Sequence, residues 1–303
     1  MTVIFHIEGG LGKHIMATAI VKVIRKKHPK AALHVVCAYP DVFKHNPLVD
    51  KIHINGQHGN FYETHIKGNE ANCKIYFSDP YHHSDYILNQ DSLFNIWCKQ
   101  WELEYNGETP QLYLQQPEID YFTPFYKSDK PIMVIQPNGG PKNQGFNYSW
   151  TRDIPEPIIL DVINEFKDIY TIIHIKREDQ KSYPNTLQAL DGFRSITILL
   201  QMSSKRLLID SFSQHLAASL NLPSTVCWIT TKPNIFGYEI NDNIEANPFT
   251  LTPGFPNNLY QPFGLHQDIS TCPYADLKDI FNSNEIIKEI EWQKFVQRML
   301  GKK

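Results

Sequence analysis

Residues 2–7 (TVIFHI) are apolar and rich in β-formers, and a glycine-rich turn, Glu8-Gly9-Gly10-Leu11-Gly12, follows at once. From about His14 to His28 the apolar positions Ile15, Ala19, Val23 and Ile24 recur at helical spacing, and the run closes on Arg25-Lys26-Lys27-His28 before Pro29. That spacing gathers the apolar side chains on one helical face. The basic end suits the negative pole of the helix dipole. Residues 32–38 (ALHVVCA) read as the next strand. Strand, glycine loop, helix and strand predict a βαβ unit with parallel strands. Residues 51–54 and 74–77 are further strand candidates, and Trp97 to Trp101 are expected on a helix.

The stretch 115–131 carries three prolines and little periodicity and reads as a connection. The alternation then restarts. Residues 132–136 (IMVIQ) predict a strand, and a long polar loop runs to Arg152. A helix over 155–166 has proline in its first turn. Residues 170–175 predict a strand, 196–202 a short helix-turn and 206–209 another strand. A helix over 213–220 and a strand over 224–229 follow. Strands alternating with helices predict a second parallel sheet covered on both faces. Residues 232–275 are irregular, and Asn282-Ser283-Asn284-Glu285 offers a capping box for a last helix.

At 303 residues, the length fits two domains of roughly 150 residues each. A hydrophobic content of 42 % lets each domain bury a core. The net charge of −3 gives no general pull toward nucleic acid or anionic membranes. Cysteines are five and scattered, with no CxxC spacing, so a reduced, cytoplasmic chain is expected rather than a disulfide framework. The first residues lack the basic and long apolar regions of a signal peptide, and no run reaches the roughly 18 apolar residues of a spanning helix. No integral membrane association is expected.

The turn 210–215 (DSFSQH) ends an apolar strand and opens a helix. Free N–H groups there carry partial positive charge and suit a pyrophosphate. Small side chains at Ser211 and Ser213 let an anion approach the backbone. Asp210 orders the turn or meets a hydroxyl, and His215 lies in the first helical turn beside Gln214. An ordinary capped helix has the same spacing.

Asp210, Ser211, His215, Leu216, Ala217, Ala218, Leu220, Asn221 and Pro223 resemble, in register, the signature of glycosyltransferase family 9, the ADP-heptose:lipopolysaccharide heptosyltransferases. Phe212 stands where the family has glycine. The runs 12–18 (GKHIMAT), 28–31 (HPKA) and 45–52 (HNPLVDKI) resemble the family's first-helix and following motifs, in the same order. The resemblance implies a GT-B architecture: two Rossmann-like lobes with parallel sheets facing across a cleft, the donor in the second lobe and the acceptor on the first. The expected domains are 1–125 on the acceptor side and 126–303 for the nucleotide-sugar.

The family's catalytic aspartate falls at Lys13. A lysine takes the role of base only with a strongly depressed pKa. Its charge suits an anionic acceptor or the leaving diphosphate. Glu8 and His14 are the replacement bases within the same loop. Gly9, Gly10 and Gly12, with Asp79 from the loop 78–85 (SDPYHHSD), are assigned to the acceptor side. The adjacent His82 and His83 point in different directions, so no metal site is expected there. On the donor side the resemblance implies a basic residue after the first strand of the second lobe. Arg152 lies closest to that position, and Lys142 is a second option. Glu178 is a candidate for the ribose hydroxyls.

The expectation is a metal-independent glycosyltransferase with a nucleotide-diphosphate sugar as donor substrate and no other cofactor. By resemblance its acceptor is a lipopolysaccharide-like glycan; a soluble glycan, a protein or a modified nucleobase stays open. Lys13 favours the alternative, a catalytically inactive nucleotide-sugar or glycan binder of the same fold.

Overall fold

The computed structural model describes residues 1–57, 59–139, 150–248, 272 and 274–300. The chain divides into two compact units, Met1–Gln116 and Pro117–Lys303.

The first unit contains β1 (Thr2–His6), α1 (Leu11–Lys27), β2 (Ala32–Cys37), β3 (Lys51–Ile54), α2 (Phe61–His65), β4 (Cys73–Tyr76), α3 (Ser84–Ile87) and α4 (Leu93–Lys99). Its four strands are all parallel, in the order β3-β2-β1-β4. The chain steps outward from β1 to β3, then returns to the other side of β1. The switch point therefore lies between β1 and β4, where the loops after both strands meet. Phe5 of β1 packs edge-on to Trp97 and Trp101, with ring centroids 5.9 and 5.7 Å apart. Trp97 is on α4 as expected, and Trp101 lies just beyond its end.

Helix α1 is buried without a break from Lys13 to Val21. Its exposed end carries Arg25, whose guanidinium donates to the carbonyls of Ala31 and Leu48 and to Asp50 at 2.7 Å. Asp50 also accepts from the Leu33 amide at 2.7 Å. These bonds hold its carboxyl below the usual range, the Leu33 amide first and Arg25 next. The run around Asn46-Pro47 and Asp50 is thus a clamp joining α1, β2 and β3, and its role is structural.

The second unit contains α5 (Gln116–Phe122, starting at the boundary), β5 (Ile132–Ile135), α6 (Glu156–Phe166), β6 (Thr171–His174), β7 (Leu187–Gln188), α7 (Phe193–Met202), β8 (Lys205–Ile209), α8 (Phe212–Ser219), β9 (Thr225–Trp228), α9 (Pro233–Phe236), β10 (Asp242–Glu245) and α10 (Ser283–Leu300). Its six parallel strands run β10-β9-β8-β5-β6-β7. Here the switch point lies between β5 and β8. Both strands are buried at every position, as a sheet covered on two faces requires. On one face the core gathers Met133 and Ile135, the α6 residues Ile158, Ile159, Val162 and Ile163, and Ile286 and Ile290 of α10.

Helix α8 ends in a Schellman motif. The Leu222 amide donates to the Ala217 carbonyl at 3.0 Å and the Asn221 amide to Ala218 at 2.9 Å. Asn221 sits at φ 58°, the left-handed conformation that glycine and asparagine accept most readily. This gives the Asn221 position of the signature a backbone reason.

Three sequence expectations change. The stretch 115–131 is largely ordered: α5 is followed by a 3-10 turn at Thr123–Tyr126. Arg194 of α7 donates to Glu118 at 2.6 and 2.9 Å, and the Tyr126 and Ser195 hydroxyls are 2.6 Å apart. These contacts tie the segment to the second unit, so the division falls at 116/117 and not at 125/126. The irregular stretch 232–275 contributes α9 and β10, while its residues 249–271 lie outside the described ones. Gly12 is a helical residue of α1, so the glycine turn proper ends at Gly10, the N-cap.

Candidate functional site

At the first switch point the loop after β1 meets the loop after β4. Gly9 has φ +100°, and a Cβ there would stand 3.1 Å from Lys13 Cδ, so glycine lets the lysine stem pass. Lys13 is 5 % exposed. Its ammonium lies 3.0 Å from Asp79 Oδ1, 4.9 Å from the Tyr81 ring centroid and 5.5 Å from that of Trp97. An ammonium so enclosed is held by a carboxylate and two aromatic faces.

Asp79 Oδ1 also accepts from the Tyr81 amide at 3.0 Å, which fixes the carboxylate as the cap of a 3-10 turn. Its side chain remains 37 % exposed. The sequence reading put Asp79 on the acceptor side and Lys13 at the vacated aspartate position. The structure brings the two together.

His14 does not lie on the helix surface. It is fully buried, its Nδ1 stands 2.9 Å from the Gly10 carbonyl, and its Nε2 accepts from the Ala38 amide at 3.2 Å. That pattern assigns the proton to Nδ1 and occupies the Nε2 lone pair. Burial first, with the neighbouring Lys13 charge, depresses its pKa. His14 therefore has no lone pair available for an acceptor proton. Glu8 is exposed, with His6 Nε2 at 3.8 Å.

At the second switch point the loop after β5 meets the turn after β8. Gln136 donates to Ser211 Oγ at 3.2 Å and accepts from Ser213 Oγ. Gly139 approaches the same turn: a Cβ on it would stand 2.9 Å from Ile209 Cδ1. The Gly139 amide donates to Asp153 at 2.8 Å. Arg152 is exposed, and its Nη1 reaches the Asp210 carbonyl at 3.5 Å, a long and weak contact.

Ser211 is the N-cap of α8 without a side-chain cap bond, which leaves its hydroxyl to Gln136. Phe212 is the first helical residue and needs no left-handed backbone. Ser213, Gln214 and His215 are buried. Gln214 donates to the Phe236 carbonyl at 3.1 Å, and His215 Nδ1 lies 2.9 Å from the Tyr238 hydroxyl. Burial drives the His215 pKa down to about 4; the Asp210 charge opposes the shift and Arg152 adds to it. His215 is thus a neutral side chain that anchors the turn from inside.

What the turn can offer an anion is the N-terminal amides of α8, the Ser211 hydroxyl and Arg152. Arg152 lies beside Asp210 and Ser211 at this turn, while Ser213, Gln214 and His215 are turned inward. Glu178 is exposed in the turn after β6, one strand away from the switch point. Lys142 lies outside the described residues. The sequence reading missed Gln136 and Tyr238. Gln136 carried one signal, an amide at the end of a buried apolar strand, whereas Tyr238 lies in a stretch with no readable pattern.

Two all-parallel α/β units, each with its polar cluster at the switch point, define the fold of the GT-B glycosyltransferases. No family model matches the chain, and no curated protein matches it in sequence. Solved structures do. A glycosyl transferase family 9 protein from Veillonella parvula DSM 2008 is 12 % identical with a TM-score of 0.67, over 97 % of both chains. The ADP-heptose lps heptosyltransferase II of E. coli is 12 % identical with a TM-score of 0.64, over 98 % of this chain and all of that one. The dodecameric iron-containing heptosyltransferase TibC, from enterotoxigenic E. coli H10407, in complex with ADP-D-beta-D-heptose gives 12 % and 0.64, over 98 % of this chain and 76 % of that one.

Proposed function

We propose that this chain transfers a sugar from a nucleotide-diphosphate sugar to an acceptor hydroxyl, with Asp79 as the general base. The observation that carries the proposal is the Lys13–Asp79 pair at the first switch point, 3.0 Å apart with the carboxylate partly exposed. A lysine stands at the family's aspartate position, and Asp79 brings a carboxylate to the same switch point from the loop after β4. Lys13 and the Tyr81 amide both hold Oδ1 and so fix the carboxylate's direction. The acceptor hydroxyl gives its proton to Asp79, its oxygen bonds to the anomeric carbon, and the bond from that carbon to the diphosphate breaks. Glu8, in the loop after β1, is a second carboxylate at this switch point and contributes to acceptor binding.

On the donor side the turn 210–215 and Arg152 take the pyrophosphate. The α8 amides and the guanidinium meet the charge of the leaving diphosphate without a metal ion. The heptosyltransferase complex with an ADP-sugar supports this class of donor. Glu178 and Lys142 are further candidates for donor contacts, and the acceptor is a glycan hydroxyl.

The test is a screen of ADP-, GDP- and UDP-sugars for protection against thermal unfolding, followed by transfer assays with and without added Mg2+ or Mn2+. A donor present at about 100 times its Kd stabilises the fold by about 2.7 kcal/mol. Protection with metal-independent turnover is the expected result. Protection without turnover for any acceptor would move the assignment to the inactive binder that Lys13 also fits. Protection by no nucleotide-sugar would sink both readings.

A further inference from the structure

His34, His53 and His65 come from β2, β3 and α2, and none takes part in the chemistry proposed above. Val36 pairs with His53 in the parallel ladder, so His34 and His53 project from the same face of the sheet two residues apart in register. Helix α2 lays His65 over that face. The ring centroids form a nearly equilateral triangle: His34–His53 5.1 Å, His34–His65 5.1 Å and His53–His65 4.9 Å. His53 Nε2 and His34 Nδ1 are 3.2 Å apart, and one nitrogen of each ring lies within 4.8 Å of the other two.

These distances match those of imidazoles sharing one ion. With nitrogen–zinc bonds of about 2.0–2.1 Å, two nitrogens on a tetrahedral zinc are about 3.3–3.4 Å apart and their ring centroids about 5.2 Å apart. His34 and His53 already meet both values. The His65 nitrogen lies within 4.8 Å of the other two, and His65 is the least buried of the three rings. His34 and His53 are about nine-tenths or more buried. Phe61, one turn before His65, packs at 4.9 Å against both His53 and His65 and screens the triangle on one side.

A route in exists. His53 and Phe61 also line a pocket of about 320 Å3 with His6, Asn55, Ile66 and Phe77. His6 stacks on Phe77 at 4.6 Å in that pocket wall.

We propose that His34, His53 and His65 form a binding site for a divalent transition-metal cation, zinc being the best match, with a fourth position for water or a ligand entering from the pocket. Imidazole ligation suits zinc, and also iron, nickel and copper, while magnesium and calcium prefer oxygen. The site stands apart from the proposed transfer chemistry, and its failure would leave that proposal untouched.

The experiment uses the full chain without an affinity tag. Its zinc, iron, nickel and copper content is measured by mass spectrometry. Metal-free protein is then titrated with Zn2+ while the unfolding midpoint is followed. About one equivalent per chain is expected, with a raised midpoint and binding at least about tenfold weaker in His65→Ala. No binding by the wild-type chain, or equal binding by a folded His65→Ala, would overturn the site. If His65→Ala does not fold, the Co2+ form of the wild type decides instead. An intense tetrahedral visible spectrum supports three-histidine ligation, and the weak spectrum of octahedral aqueous Co2+ refutes it.

Discussion

At the scale of single residues, the charge on Lys13 is stabilised by an arrangement that also orients Asp79. Asp79→Asn keeps an oxygen for the Tyr81 amide and loses the base. We expect it to lower the transfer rate by about 10²- to 10⁴-fold while donor protection against unfolding persists. An unchanged rate would return the role of base to Glu8. His14 has the opposite character. His14→Ala removes the ring's bonds to the Gly10 carbonyl and the Ala38 amide, empties a fully buried site, and is expected to cost about 2 kcal/mol or more in urea unfolding. That a lysine stands at position 13, where the family it resembles has aspartate, was plain in the sequence. The carboxylate that stands beside it was not, because Asp79 is far away in the chain and reaches Lys13 only through the pairing of β1 with β4. His14 misled for a related reason: α1 is covered nearly all round, and helical spacing by itself does not reveal a helix without an exposed face near its start.

At the scale of elements, α8 shows how a family signature divides into parts with separate causes. Its first residues form the turn after β8, its middle fills the core, and Asn221 ends it in the left-handed conformation. Asn221→Ala should destabilise the chain by about 1 kcal/mol, whereas Asn221→Gly should be neutral or slightly stabilising, as denaturant midpoints would show. Most strongly periodic strands and helices were placed within a residue or two by sequence alone, although α1 and α7 each begin three residues earlier than the sequence reading. Elements α2, α3, α5, β7, α9 and β10 were missed. All are short, seven residues at most, with little apolar pattern, and β7 and β10 exist because a neighbouring strand offers them hydrogen bonds.

At the scale of the whole molecule, stability depends on two buried neutral histidines of the second unit. His174 is pushed down to about 3 and His215 to about 4, both by burial, from an ordinary value of 6.5. Below pH 6.5 the unfolded chain takes up protons at these positions and the folded chain does not. The stability they contribute is therefore complete above 6.5 and declines as pH falls toward about 4 and then about 3. His174 offers two buried nitrogens with no partner among the described residues. His174→Phe removes its share of the titration, so the fall in unfolding midpoint between about pH 7 and about pH 5 should be shallower than in the wild type. An equal slope in the two proteins would show that other groups carry the dependence. Among the described residues no helix is long and apolar enough to cross a membrane.

The sequence by itself determined the alternation of strand and helix, hence two parallel α/β units, and it marked 210–215 as a strand-to-helix turn. Those features follow from periodicity and turn chemistry, which act over a few neighbouring residues. Tertiary structure decided the rest: that Asp79 faces Lys13, that His14 and His215 are sealed from solvent, that Gln136 braces the second turn, and that three histidines from separate elements meet on one sheet face. Each of these depends on which strands lie side by side and which faces are covered, and contacts so remote along the chain leave no local pattern to read.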